Sequence, residues 1–178
     1  MRRTFALCSA ILLAFLFGAC GSPTSPSGAR EGATWTVNGE SFQATSNGLA
    51  ASRSGTSLGL TMGDCGRGPF LSIFIANADF SAPATYTAVG GSDAASITWN
   101  RDARVSNSDS WMGPGTTRLA DGRFVRLGNV SVIVTNISSD WVSGTFTAEA
   151  VASPENADTG TKTIQGSFEL SFRQRVIC

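Results

Sequence analysis

The 178-residue chain contains no histidine and a single lysine, Lys162. The first absence removes Ser-His-Asp triads, Cys-His dyads and the commonest zinc ligand. The second, with no Gly-rich stretch leading into a lysine, leaves no phosphate-binding loop. Charge is scarce: charged residues make up 15% of the chain, against about 25% in ordinary domains. Thirteen cations balance thirteen acids, and twelve of the cations are arginine. No basic stripe stands out, so nucleic acid is not an expected partner. There is one tyrosine, and no apolar run reaches the length of a membrane-spanning helix. Outside the N-terminus no window shows the 3.6-residue period of an amphipathic helix.

What the chain does have is alternation and punctuation. Twenty glycines accompany frequent Ser and Thr, and 42% of residues are hydrophobic. Thr favours strands and Gly favours turns, and the apolar fraction is too high for a disordered chain. The run TWTV-NG-ESFQAT places Asn38-Gly39 between two alternating segments, a strong hairpin signal. A two-residue loop there sets Val37 opposite Glu40 and Trp35 opposite Phe42, with both rings facing a core.

Further strands are expected at 49–53, 56–62, 70–76, 85–89, 94–100, 123–127, 130–135, 141–152 and from 161 onward. FLSIFIA, residues 70–76, is apolar on both sides and reads as a central strand covered on both faces. From Ile164 the pattern Ile164, Phe168, Leu170, Phe172 alternates with polar residues, as in an antiparallel strand with one buried face. Cys178 shares the parity of those apolar residues. Residues 101–122 and the polar SPENADTG segment read as irregular. The expectation is an all-β domain at 33–178: an antiparallel β-sandwich or flattened β-barrel of about ten strands. The two-sided look of 70–76 tilts the balance toward the sandwich.

The N-terminus has a different character. Arg2 and Arg3 precede an apolar run, Phe5–Phe17, which suits a signal peptide and is too short to span a bilayer. It ends Leu16-Phe17-Gly18-Ala19-Cys20, which resembles the lipobox of bacterial lipoproteins, with Phe17 where that motif most often has Leu. The resemblance implies a signal peptide at 1–19, cut before Cys20 after a diacylglycerol joins its sulfur, and hence a membrane partner held through the lipid. Cys8 would leave with the signal. Losing Arg2 and Arg3 leaves eleven cations against thirteen acids, a net charge near −2. No Asp follows Cys20, which by analogy with bacterial sorting points to the outer membrane. GSPTSPSG, residues 21–28, belongs to a flexible spacer at 20–32.

Export also puts Cys65 and Cys178 in an oxidising compartment as the only remaining pair. A bridge between them would close a loop worth roughly 4–5 kcal/mol in the chain-entropy model. A reactive thiol has no support, since no CxxC motif or histidine is present. TWTVNGESFQAT together with WVSGTFTAEAVA and TIQGSFELSF is similar to uncharacterised bacterial lipoproteins. In those, a W-x-V-N-G hairpin opens the domain and SGTF and GSF strands close it. The likeness implies fold and location and no activity. Gly144 and Gly166, each ahead of an aromatic strand residue, read as bulges or close backbone approaches.

Chemistry is thinly supplied. Asp93, Asp102, Asp109 and Asp121 flank the irregular stretch and are the only basis for a carboxylate-pair hydrolase. The NSDS run at 107–110 lacks the order of a calcium loop. Trp111, beside Arg101, Arg104 and Arg118, is a candidate to stack on a ligand or partner, or else to fold back over the core. The expectation is a non-catalytic, lipid-anchored envelope protein without a cofactor. The alternatives are a small-ligand (lipid or sugar) carrier with a barrel cavity and, behind it, the hydrolase.

Overall fold

The computed structural model describes residues 31–45, 48–63, 68–89, 94–102, 109–156 and 158–172. The signal peptide, Cys20, Cys65, Cys178, Arg104 and Asp93 lie outside the described residues. The protein is all-β. Among the described residues thirteen strands run in chain order: β1 (Gly32–Val37), β2 (Glu40–Thr45), β3 (Leu49–Ser54), β4 (Ser57–Gly63), β5 (Phe70–Ile75), β6 (Ala84–Val89), β7 (Ala95–Asn100), β8 (Ser110–Gly113), β9 (Gly115–Arg118), β10 (Phe124–Leu127), β11 (Asn129–Ile137), β12 (Trp141–Ala152) and β13 (Thr161–Ser171).

Eleven of them form one antiparallel sheet in the order β2-β1-β13-β12-β8-β7-β5-β4-β3, with β11 and β6 branching from β12. β9 and β10 make a separate hairpin. The branch exists because β12 is twelve residues long. Its Val142–Glu149 portion pairs with β11, while Val151 and Ala152 pass on to β8. At the far edges β3 packs near β13 and β4 near β2, so the sheet curls into a nearly closed barrel.

The first hairpin forms as the residues dictate. Asn38 and Gly39 both have positive φ, 50° and 87°, which is the I′ pattern that Asn-Gly favours. Trp35 faces Phe42 and Val37 faces Glu40. The two rings stack with centroids 5.7 Å apart.

Inside the barrel, side chains line up in rows across the strands, and large residues meet small ones. One row runs Phe42, Trp35, Gly166, Phe146, Val132, Tyr86. The next runs Ala44, Ala33, Phe168, Gly144, Val134, Ala84. Gly166 thus lies between two aromatic residues, and the Phe168 ring reaches over Gly144. Phe146 and Phe168 stack at 6.4 Å. A Cβ on Gly166 would meet the Thr34 carbonyl oxygen, Phe146 Cζ at 2.6 Å and Trp35 Cβ at 2.7 Å. Both glycines are therefore sites of close approach, and the register of β11 on β12 shifts beside Gly144.

The other half of the barrel contributes the row Leu49, Met62, Leu71, Trp99, Trp111, Ala152. Trp35, Phe42, Trp99 and Trp111 make a chain of ring contacts at 5.7, 6.1 and 4.9 Å that ties the two halves together.

Two local expectations are corrected. β5 has one buried face, not two: Leu71, Ile73 and Ile75 point inward, while Phe74 is 48% exposed. Its apolar outer residues had suggested a second covering layer, and among the described residues the barrel supplies none. Residues 101–122 are also less irregular than their composition implied. They contain β8 and β9, joined through the cis Gly113–Pro114 bond.

Candidate functional site

Trp111 sits where β7, β8 and β12 meet. Its neighbours in register are Trp99 and Ala152. This pairing turns the indole inward and leaves it 0% exposed, 4.9 Å from the Trp99 ring. Of its two readings, the geometry is that of a core residue.

Arg101, the residue just past β7, is half exposed and lies over the same ring at 5.1 Å. Lys162 Nζ lies 4.8 Å from that ring, so two cations share one indole at cation–π distances. Asp158 holds both: its Oδ2 accepts from Arg101 at 3.0 Å and from Lys162 at 3.3 Å. The Arg101 hydrogen bond, followed by that of Lys162, keeps the Asp158 carboxyl below its ordinary range.

Asn156 fastens the loop beneath. Its Nδ2 donates to the Ser110 carbonyl at 3.0 Å, and its Oδ1 accepts from the Asp158 amide at 2.9 Å. The Ser153 amide also donates to Ser110 O at 2.9 Å. The ensemble is an ionic clasp over an aromatic core, built from the loop between β12 and β13. Its carboxylate, Asp158, is bound by two cations at once. Asp158, Lys162 and Asn156 gave no signal in the sequence, because only the return of β13 alongside β12 brings them over Trp111.

Two of the loop aspartates, Asp109 and Asp121, are engaged with arginines or backbone. Asp109 lies 3.7 Å from Arg101. Asp121 accepts from the Arg123 amide at 3.0 Å and from its guanidinium at 2.6 Å, and these bonds hold its carboxyl below the usual range. Asp121 belongs to the β9–β10 turn, and Asp109 immediately precedes β8. Among the described residues no group of three Cys, Asp or Glu could hold a metal ion.

Two concavities differ in character. One, of about 550 Å³, lies between the β9–β10 hairpin and the 151–161 segment. It includes Arg118, whose guanidinium is 5.9 Å from the Phe124 ring. The other is a shallow trough of about 780 Å³ on the outer face of β2-β1-β13-β12. Its floor follows from strand alternation, since every residue between two core positions must point out.

Two outward rows cross it and continue over β11 and β6. The first reads Gln43, Thr34, Ser167, Thr145, Ile133, Thr85. The second reads Ser41, Thr36, Gln165, Thr147, Ser131, Thr87. Eleven of these twelve residues are Ser, Thr or Gln, and none is charged. Glu169 stands in the row beyond one side and Glu149 in the row beyond the other. The T-x-T pattern of β1, β6 and β12 was visible in the chain. Its alignment into rows depends on register.

No protein-family model, curated protein or solved structure matches this chain.

Proposed function

We propose that this protein is a lipid-anchored module of the bacterial cell envelope that works by binding rather than catalysis. The observation that carries the reading is the Leu16–Cys20 stretch, with its positive n-region, its short apolar run and the polar spacer that follows. Acylation of Cys20 would hold the domain at a membrane, stably once two or more chains are attached. The absence of Asp after Cys20 favours the outer membrane. The spacer lets the barrel stand away from the lipid surface.

Binding at the outer surface is favoured over carriage in the interior. The inward rows are occupied by side chains such as Leu58, Met62, Leu71, Val132 and Ile164, each with no exposed surface. The trough is lined mainly by exposed residues of the outward rows and touches one inward row at Trp35, Phe42, Phe146 and Gly166, and the hairpin concavity is lined mainly by the β9–β10 hairpin and the polar loop after β12. Of the four aspartates behind the hydrolase alternative, Asp109 and Asp121 are paired with arginines. In the same reading Cys65 and Cys178 form a disulfide that ties the last residue to the loop before β5.

Labelling with radioactive palmitate tests the anchor. The parent chain is expected to carry label and sediment with membranes, and Cys20→Ala to lose both. Persistence of label in Cys20→Ala, or release of an unlabelled parent chain, would defeat the proposal.

A further inference from the structure

We infer that the trough across β2-β1-β13-β12 binds a neutral polysaccharide chain. The inference rests on the reading of the domain as a binding module and adds the class of its ligand.

At the centre of the face stand two rows of three, Thr36-Gln165-Thr147 and Thr34-Ser167-Thr145. Strand geometry spaces them at about 4.8 Å across the sheet and about 6.8 Å along it, so the block measures about 10 Å by 7 Å. That is the scale of one or two hexose rings. The wider rows extend it in one direction, which suits a chain rather than a single sugar.

The polar groups are available. Thr34 Oγ1 and Ser167 Oγ share a hydrogen bond of 3.2 Å. Among the described residues, the side chains of Thr36, Thr145, Thr147 and Gln165 have no hydrogen-bond partner in the protein. Each hydroxyl both donates and accepts, and Gln165 adds an amide that does the same. Such a surface matches a ligand whose own groups are hydroxyls.

Charge narrows the class further. The face is neutral, and Glu169 and Glu149 flank it. Those carboxylates repel an anionic polymer approaching the edges and leave a neutral one unopposed. Ile133, 43% exposed on β11 beside the trough, adds one apolar side chain to the first row.

The test is native affinity electrophoresis of the full chain through gels containing hydroxyethylcellulose or laminarin, with dextran sulfate as the anionic comparison. Neutral polymer is expected to retard the protein and dextran sulfate to leave it unretarded. The double variant Thr36→Val/Thr147→Val keeps side-chain shape and strand preference and removes two central hydroxyls. Its apparent affinity should fall at least tenfold. Thr98→Val, on β7 in the other half of the barrel, should bind as the parent does. Circular dichroism that matches the parent confirms that each variant is folded.

Absence of retardation by both neutral polymers, equal loss in Thr98→Val, or unchanged binding in the double variant would overturn the inference. So would sedimentation showing a dimer that the double variant breaks, with no polymer bound. None of these results touches palmitate labelling of Cys20, so failure of the ligand class and failure of the anchored reading are read separately.

Discussion

Replacing Gly166 with alanine reverses the sign expected from strand propensity. Glycine in a strand interior costs roughly 0.5–1 kcal/mol relative to alanine, so Gly→Ala in the middle of β13 should ordinarily stabilise. Here the added methyl would sit 2.6 Å from Phe146 Cζ and 2.7 Å from Trp35 Cβ, and against the Thr34 carbonyl oxygen. The ring can tilt. The Cβ and the carbonyl move only if β1 moves, and β1 is held by β2 on one side and β13 on the other.

Overpacking of this kind costs about 1–3 kcal/mol. The propensity gain offsets part of it, so the net loss should be about 1–2 kcal/mol. For a domain of this size that lowers Tm by roughly 2–8 °C. Gly59→Ala is the matched control. It too lies within a strand, but its methyl would meet only the Ser52 hydroxyl, at 2.9 Å, on an exposed side chain that can turn away at the loss of one long, 3.5 Å hydrogen bond to the Gly59 carbonyl. It should be neutral or slightly stabilising. Urea and thermal unfolding followed by circular dichroism measure both. Phe146→Leu should also cost less in the Gly166→Ala background than alone, because the two sites are in contact. If Gly166→Ala melts with Gly59→Ala, or above the parent, the account of alternating large and small residues fails.

Other expectations follow from the same geometry. Tyr86 Oη accepts from the Asp79 amide at 2.8 Å and donates to the Asp79 carbonyl at 3.1 Å; Tyr86→Phe should cost about 1 kcal/mol in chemical unfolding. Trp111→Ala empties the junction of β7, β8 and β12 and should cost roughly 3–5 kcal/mol, whereas an open ligand-stacking residue would cost little. Asp158 is held below its unfolded value of 3.8 by Arg101 and Lys162. Its contribution to stability is therefore complete above that pH and is lost as pH falls through the lower, folded value. Asp158→Asn should flatten that part of the acid unfolding curve, and an unchanged curve would show that the clasp adds nothing.

Most of the strands were legible because their signal is local. The Asn38-Gly39 turn and the alternation of Ile164, Phe168 and Leu170 depend only on neighbouring residues, and β1, β2 and β13 form where those patterns predict. β8 and β9 were obscured, since four-residue strands flanked by Gly and Pro carry too little pattern to separate them from loop. The second apolar face of β5 misled for a related reason. Composition does not say whether another layer is present to cover Phe74.

The chain by itself determined that the protein is all-β, where its first hairpin turns and which side chains of β1 and β13 face inward, because a two-residue period and a turn dipeptide act over a few residues. It also carries the whole case for the anchor at Cys20, which is a statement about processing rather than packing. Tertiary structure alone decided that β12 feeds two branches of one sheet, that Trp111 is enclosed beneath Arg101 and Lys162, and that eleven polar residues from six strands form a neutral face. Register and partner are settled by residues more than a hundred positions apart, such as Trp35 and Gly166, and the physics that joins them is side-chain volume.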